Sequence, residues 1–392
     1  MDELLKGYRP TEPFRVAGGG QCEWTIAEKG GRPYFIKKFL HPKFPVEGSP
    51  GSSQTKERQR HQCEIFESHQ RSVMKALHPL VGSGGNLVVP TDFFRVGTTY
   101  YKAADWVTAN VAPEAVAEIP LQARIIVLLT LSASLRILHG ENLVHGDIKP
   151  ANILLTQTGE RYISKLIDFD DCFRPGSVPD PESLVGDFKY YSPELGEYIS
   201  SDDGGEKLAV ALTTKSDIYA LGLVFHQFIT GKTVALPGLY KTSWQASLDG
   251  QRLELAMDVS PRLEDLIKNM LEREPSKRPS AGEVFDRLKD VQRDLRSGSS
   301  PSPSFTRTSR PEAARPIVAP HRDDPGDVVP KTSPGSSRLK INMSRSSTPL
   351  SSSEESADGR IVEPTAGMIP RPRLTMKGLH RMPVDEEGPG GS

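Results

Sequence analysis

The chain has 392 residues, and its 49 Lys and Arg against 50 Asp and Glu give a formal net charge of −1, which excludes a globally basic nucleic-acid binder. Its three cysteines, Cys22, Cys63 and Cys172, form no CxxC pair, which disfavours a disulfide scaffold and a cysteine-based zinc site. Met1 to Pro10 lacks the apolar stretch of a secretory signal, and no run approaches the ~18 apolar residues of a membrane span, so a soluble cytoplasmic protein without a membrane partner is expected.

Taken in chain order, residues 13–107 carry short strand-like runs at Tyr34–Phe39, Leu87–Phe94 and Thr99–Ala104, interrupted by one polar helix-like stretch from Lys56 to Leu77. In residues 108–296, the stretch from about Ile119 to Val291 is mostly helical in period. Gln122–Leu138 and Lys215–Thr230 are apolar enough for buried helices, and Arg262–Leu271 and Ala281–Val291 are amphipathic. A small mostly-β lobe before a larger mostly-α lobe predicts an α+β bilobal plan. From Ser297 to Ser392 the composition changes: 17 Ser and 14 Pro accompany a single aromatic, Phe305. Such a segment cannot bury enough apolar surface to offset its ordering entropy, so residues 297–392 read as a disordered tail, with Ser-Pro and Thr-Pro sites suited to modification or a binding partner.

The chemistry concentrates in VHGDIKPANILL, Val144–Leu155. Asp147 is followed by Lys149 two residues on and Asn152 five residues on, before a short apolar strand. Sixteen residues after Asn152 comes Asp168, behind a second apolar strand, Ile163–Ile167. A hairpin of those strands brings Asn152 and Asp168 together, and an amide oxygen beside a carboxylate suits Mg²⁺. Asp147 stands beside them as a proton acceptor. Phosphoryl transfer needs such a set: a metal on the phosphates, a carboxylate to orient the nucleophile and a cation to neutralise charge.

These residues resemble the protein kinase family. The catalytic-loop pattern H-R-D-x-K-x-x-N is met by His145, Asp147, Lys149 and Asn152, with Gly146 in place of Arg; D-F-G is met by Asp168 and Phe169, with Asp170 in place of Gly. Ser192–Pro193–Glu194 resembles the A-P-E end of an activation segment, Asp217 opens what resembles the central helix of the larger lobe, and Arg278 resembles the arginine that pairs with the A-P-E glutamate. The resemblance covers roughly residues 13–291. It implies ATP and Mg²⁺ between the lobes, Asp147 acting on a Ser/Thr hydroxyl of a protein substrate with Lys149 beside it, Asn152 and Asp168 on the metal, a buried Glu194–Arg278 pair, and Asp217 fixing the catalytic-loop backbone.

The smaller lobe matches less closely. Gly18, Gly19 and Gly20 sit where a phosphate-binding glycine loop belongs, although alignment on Trp24–Ala27 puts Ala17, Gly19 and Cys22 at its three glycine positions. Lys37 takes the place of the phosphate-contacting lysine. Its expected partner is a carboxylate on the 56–77 helix, Glu67 in preference to Glu64. Phe35 replaces a small residue and, on strand alternation, faces the same side as Lys37, which predicts an altered nucleotide pocket.

The departures have consequences of their own. Gly146 removes an arginine that binds phosphorylated activation loops, so less dependence on such phosphorylation is implied. Asp170 either restricts the Asp168–Phe169 pair or adds a metal ligand. His145–Gly146–Asp147 and Asp168–Phe169–Asp170 also resemble the aminoglycoside and choline kinase group. A small-molecule kinase and a nucleotide-binding pseudokinase scaffold are therefore the alternatives; Lys149, Ser192–Pro193–Glu194, Asp217 and Arg278 favour the protein kinase.

Overall fold

The computed structural model describes residues 4–17, 22–46, 48, 51–81, 86–181, 184, 186–201, 206–255 and 257–297. The tail beyond Ser297, Gly18 to Gly20 and Ser183 lie outside these residues. The described residues belong to a single unit.

Its first layer is an antiparallel sheet built from β1 (Arg9–Pro10), β2 (Arg15–Ala17), β3 (Cys22–Lys29), β4 (Arg32–Phe39), β5 (Pro90–Val96) and β6 (Thr99–Asp105). The order is β1-β3-β4-β6-β5, with β2 pairing β3 across a hairpin in which Ala17 faces Cys22. Strand alternation divides the side chains between two faces. Ala27, Ile36, Phe94, Tyr101 and Ala103 form one apolar cluster, which Leu5 and Tyr8 cover. The lobe therefore begins well before residue 13: these two residues are buried, and the apolar face of the sheet requires that cover. Phe39, Phe93 and Tyr100 make a second cluster, on which helix α1 (Ser53–Leu77) rests through Cys63, Phe66 and Met74.

Helix α1 starts three residues before the polar helix-like stretch read from the sequence, and the Ser52 hydroxyl accepts from the Thr55 amide and caps it. Its last turns insert Val73 and Leu77 into the core of the second layer, so one helix touches both layers.

The second layer comprises α2 (Leu121–Gly140), the hairpin β7 (Ile153–Thr158) and β8 (Arg161–Leu166), α3 (Pro193–Ser200), α4 (Glu206–Ala209), α5 (Thr214–Thr230), α6 (Ser243–Leu248), α7 (Pro261–Met270) and α8 (Ala281–Ser297). Helix α2 is long and apolar enough to cross a membrane, with a mean hydropathy of 1.6 over its best window, which the sequence reading of apolar runs missed. Its Ile125, Leu128, Leu131, Leu135 and Leu138 belong to the central core with side chains of α5, α7 and α8, which accounts for that apolarity. Helix α5 buries residues right round its circumference, as a central helix must.

The Ser-Pro-Glu stretch becomes the start of α3. Ser192 accepts from the Leu195 amide, Pro193 takes the first helical position, where its missing N–H costs nothing, and Glu194 is buried in the first turn. Gly196, also on α3, has no alternative, since a Cβ there would fall 2.3 Å from the Trp244 ring.

Candidate active site

Four elements supply the site: β4, β6, the loop after α2, and the segment after β8. Asp217, at the start of α5, organises the loop after α2. One of its carboxylate oxygens accepts from the His145 amide at 2.7 Å and from His139 Nε2 at 2.9 Å; the other accepts from the Gly146 amide at 3.0 Å. This leaves the loop little freedom. Gly146 sits at φ +82°, and a Cβ there would come 2.7 Å from the Asp171 carbonyl oxygen. The residue type is thus fixed both by backbone conformation and by the close approach of the later segment.

Asp147, 8% exposed, follows directly. Its Oδ2 is engaged by Lys149 Nζ at 2.6 Å and by Asn152 Nδ2 at 2.8 Å, and Asn152 Nδ2 also donates to the Asp147 carbonyl. Oδ1 has a long contact, 3.4 Å, from the Asp187 amide. One oxygen is therefore locked while the other is the less committed. A one-turn helix, Pro150–Asn152, leads into β7, and the Ile167 amide donates to the Asn152 carbonyl at 3.0 Å, which sets Asn152 beside Asp168. Phe169 is buried against the His145 ring, with centroids 5.1 Å apart. Asp168 has φ +63°, an uncommon conformation for a residue with a side chain and of a kind that concentrates at functional sites.

Lys37 Nζ lies 2.8 and 2.9 Å from the two oxygens of Asp168, across 131 positions of sequence. Its second partner corrects the sequence expectation. Glu67 does not reach Lys37: its Oε1 accepts from the Tyr100 hydroxyl at 2.7 Å and its Oε2 faces Arg71 at 3.5 Å. Glu64 is exposed, near His61. The physical reason is the rotation of α1. Its buried residues Cys63, Gln70, Val73 and Leu77 set the inward stripe, which seats Glu67 over Tyr100. The carboxylate that meets Lys37, at 2.6 Å, is Asp170. Asp170 also pairs with Lys102 of β6.

Burial pushes the Lys37 ammonium down, but Asp170 and then Asp168 more than reverse this and hold it above its ordinary value. Burial likewise pushes Asp170 up, and Lys102 and Lys37 overcome that, leaving it well below the usual carboxylate range. Asp168 ends raised, through burial and the neighbouring charge of Asp170. Asp171 is pushed up to about 8 by burial and by the charges of Asp147, Asp170 and Asp168.

On the sheet face that carries Lys37, Phe35 stacks on Trp24 with centroids 5.7 Å apart, and Trp24 stacks on Trp106 at 6.3 Å. Sequence reasoning singled out Phe35 but missed this three-ring ladder, as it missed Lys102 and the contact of His69 Nε2 with the Asp170 carbonyl at 2.9 Å. The ladder takes one ring each from β3, β4 and the residue after β6, so it had no local sequence signal. A lysine in a strand gave none for Lys102.

Mg²⁺ fits the donor set. Asp168 supplies a carboxylate, and Asn152 commits its NH₂ group to Asp147, which leaves its amide oxygen as an acceptor for a hard cation.

Away from the cleft, Glu194 and Arg278 are joined by two bonds of 2.7 and 2.8 Å, with Arg278 fully buried.

A two-layer fold with a lysine, a metal-suited Asn and Asp, and an Asp–Lys pair converging between the layers defines a phosphotransferase class of architecture. The family described as "Protein kinase domain" matches residues 86–288, and the chain belongs to that family. Among its relatives are serine/threonine-protein kinase ULK3 of Xenopus laevis, 27% identical over 46% of this chain and 35% of that protein. Others are serine/threonine-protein kinase STY46 of Arabidopsis thaliana, 24% identical over 43% of this chain and 27% of that protein, and serine/threonine-protein kinase PknA of Mycobacterium tuberculosis, 28% identical over 48% of this chain and 40% of that protein. The match thus spans well under half the length of each of these relatives.

Proposed function

We propose that the chain is a protein serine/threonine kinase that uses ATP and Mg²⁺ and transfers the γ-phosphoryl group to a Ser or Thr hydroxyl of a protein. The observation that carries this reading is the ion pair of Lys37 with Asp168, which joins the two layers beside the Asp147–Lys149–Asn152 cluster. Lys37 contacts the nucleotide phosphates, and Asn152 and Asp168 would hold the metal, which would supply positive charge against those phosphates. Asp147 orients the acceptor hydroxyl through Oδ1 and takes its proton, while Lys149, held on Oδ2, faces the negative charge of the group being transferred. A lysine two residues after the base, and relatives named as serine/threonine kinases, support a hydroxyl acceptor on protein over a small-molecule acceptor.

A second reading, a nucleotide-binding scaffold without transfer, rests on the departures from the kinase pattern at the cleft: Phe35, stacked on Trp24, in place of a small residue, and Asp170, paired with Lys37, in place of Gly. The test is phosphate incorporation from radiolabelled ATP with Mg²⁺, with generic basic proteins and aminoglycosides offered in parallel to the full chain and to Asp147→Asn. Incorporation into protein by the wild type alone supports the kinase. Equal labelling by both removes Asp147 from its role, and nucleotide binding without transfer supports the scaffold.

A further inference from the structure

Lys37 and Lys102 are direct cross-strand partners in the β4–β6 pairing. Both side chains point into the cleft, 15% and 8% exposed, and both ammonium groups lie 5.8 Å from the centroid of the same Phe39 ring. Two like charges at directly opposed positions repel, and burial strengthens the repulsion. The fold therefore needs an anion between them. Helix α1 does not supply it, since Glu67 is bound to Tyr100. Asp170 does, by touching both ammonium groups.

We propose that Asp170 is the positioning residue for Lys37, taking the part expected of a carboxylate on α1, and that Lys102 is its anchoring counter-ion. The assignment rests on the kinase reading. Two lysines and two carboxylates, the half-buried Asp168 and Asp170, then balance in charge. When Asp168 turns to a metal, Lys37 keeps one carboxylate partner and stays aimed at the phosphates. Helix α1 acts only at one remove, through the His69 ring N–H donated to the Asp170 carbonyl.

The experiment measures binding of Mg-ATP and of adenosine to the full chain by calorimetry, with thermal unfolding as the check of folding. Adenosine lacks the phosphates that Lys37 addresses, so a general structural role would move both ligands together. The expected result for Asp170→Asn is a loss of about tenfold in Mg-ATP affinity, comparable to one charge-assisted hydrogen bond, with adenosine affinity unchanged. Glu67→Gln leaves both affinities at the wild-type value. Should Asp170→Asn unfold, the Lys102→Met/Asp170→Gly double variant removes one charge of each sign and keeps Lys37 opposite Asp168; the same selective loss is expected of it. Unchanged Mg-ATP affinity in a folded Asp170 variant, or an equal loss in Glu67→Gln, overturns the assignment while leaving the kinase reading intact. A wild type that binds neither ligand overturns both.

Discussion

Arg278→Lys should destabilise the protein although it preserves charge. Arg278 is fully buried and every N–H of its guanidinium has an acceptor: two go to Glu194, and the others to the carbonyls of Glu272, Lys215 and Arg273 at 2.7, 2.9 and 2.9 Å. A lysine brings three donors on a flexible stem, so at least two of five buried acceptors lose their partner. At about 1–3 kcal/mol for each unsatisfied group, losing two costs about 2–6 kcal/mol. At about 2–4 °C per kcal/mol this lowers the melting temperature by roughly 4–24 °C. Differential scanning calorimetry on the full chain measures it. A melting temperature within about 2 °C of wild type would show that the five bonds are not what holds α3 to the segment after α7, and would refute the reasoning.

Gly146→Ala forces a Cβ against the Asp171 carbonyl at positive φ, so a stability loss of about 1–3 kcal/mol is expected in denaturant titration. Asp171 holds its proton more tightly folded than unfolded, which makes stability fall as pH rises from the ordinary carboxylate range to about 8. Asp171→Asn should flatten that decline in melting temperatures taken from pH 5 to 8, and an identical profile would remove Asp171 as its source. Phe35→Ala breaks the aromatic ladder and should shift the competition profile of adenine-site inhibitors against a fluorescent nucleotide. Asp217→Asn takes negative charge from the acceptor of three hydrogen bonds, two from the loop after α2 and one from His139 of α2, and should lower both the melting temperature and phosphate transfer.

The residues legible in the sequence are those whose meaning is local. Asp147, Lys149 and Asn152 lie within six positions, and the hairpin that returns to Asp168 is short, so spacing alone fixes their neighbourhood. Glu194, Asp217 and Arg278 were legible from the pattern of a resembling family. What was not legible depends on rotation and register. Whether Glu67 or another side chain of α1 faces Lys37 is decided by how Cys63, Phe66 and Met74 seat on Phe39, Phe93 and Tyr100, a packing fact spread over three elements. Lys102 reads as a solvated strand lysine until the β4–β6 register puts it opposite Lys37. Leu5 and Tyr8 precede any periodic segment, and only the apolar outer face of the sheet explains their burial.

The substitutions that depart from the kinase pattern are consistent with one another in three dimensions. An aspartate after Phe169 is anomalous alone, and so is a buried lysine on β6, yet each neutralises the other. With Asp170 tied to both lysines, and Asp171 brought against the catalytic loop where Gly146 has no side chain, the segment after β8 is clamped from the sheet above and the loop below. The lysines of the sheet hold this segment through Asp170, and the close approach of the Asp171 carbonyl requires that position 146 carry no Cβ.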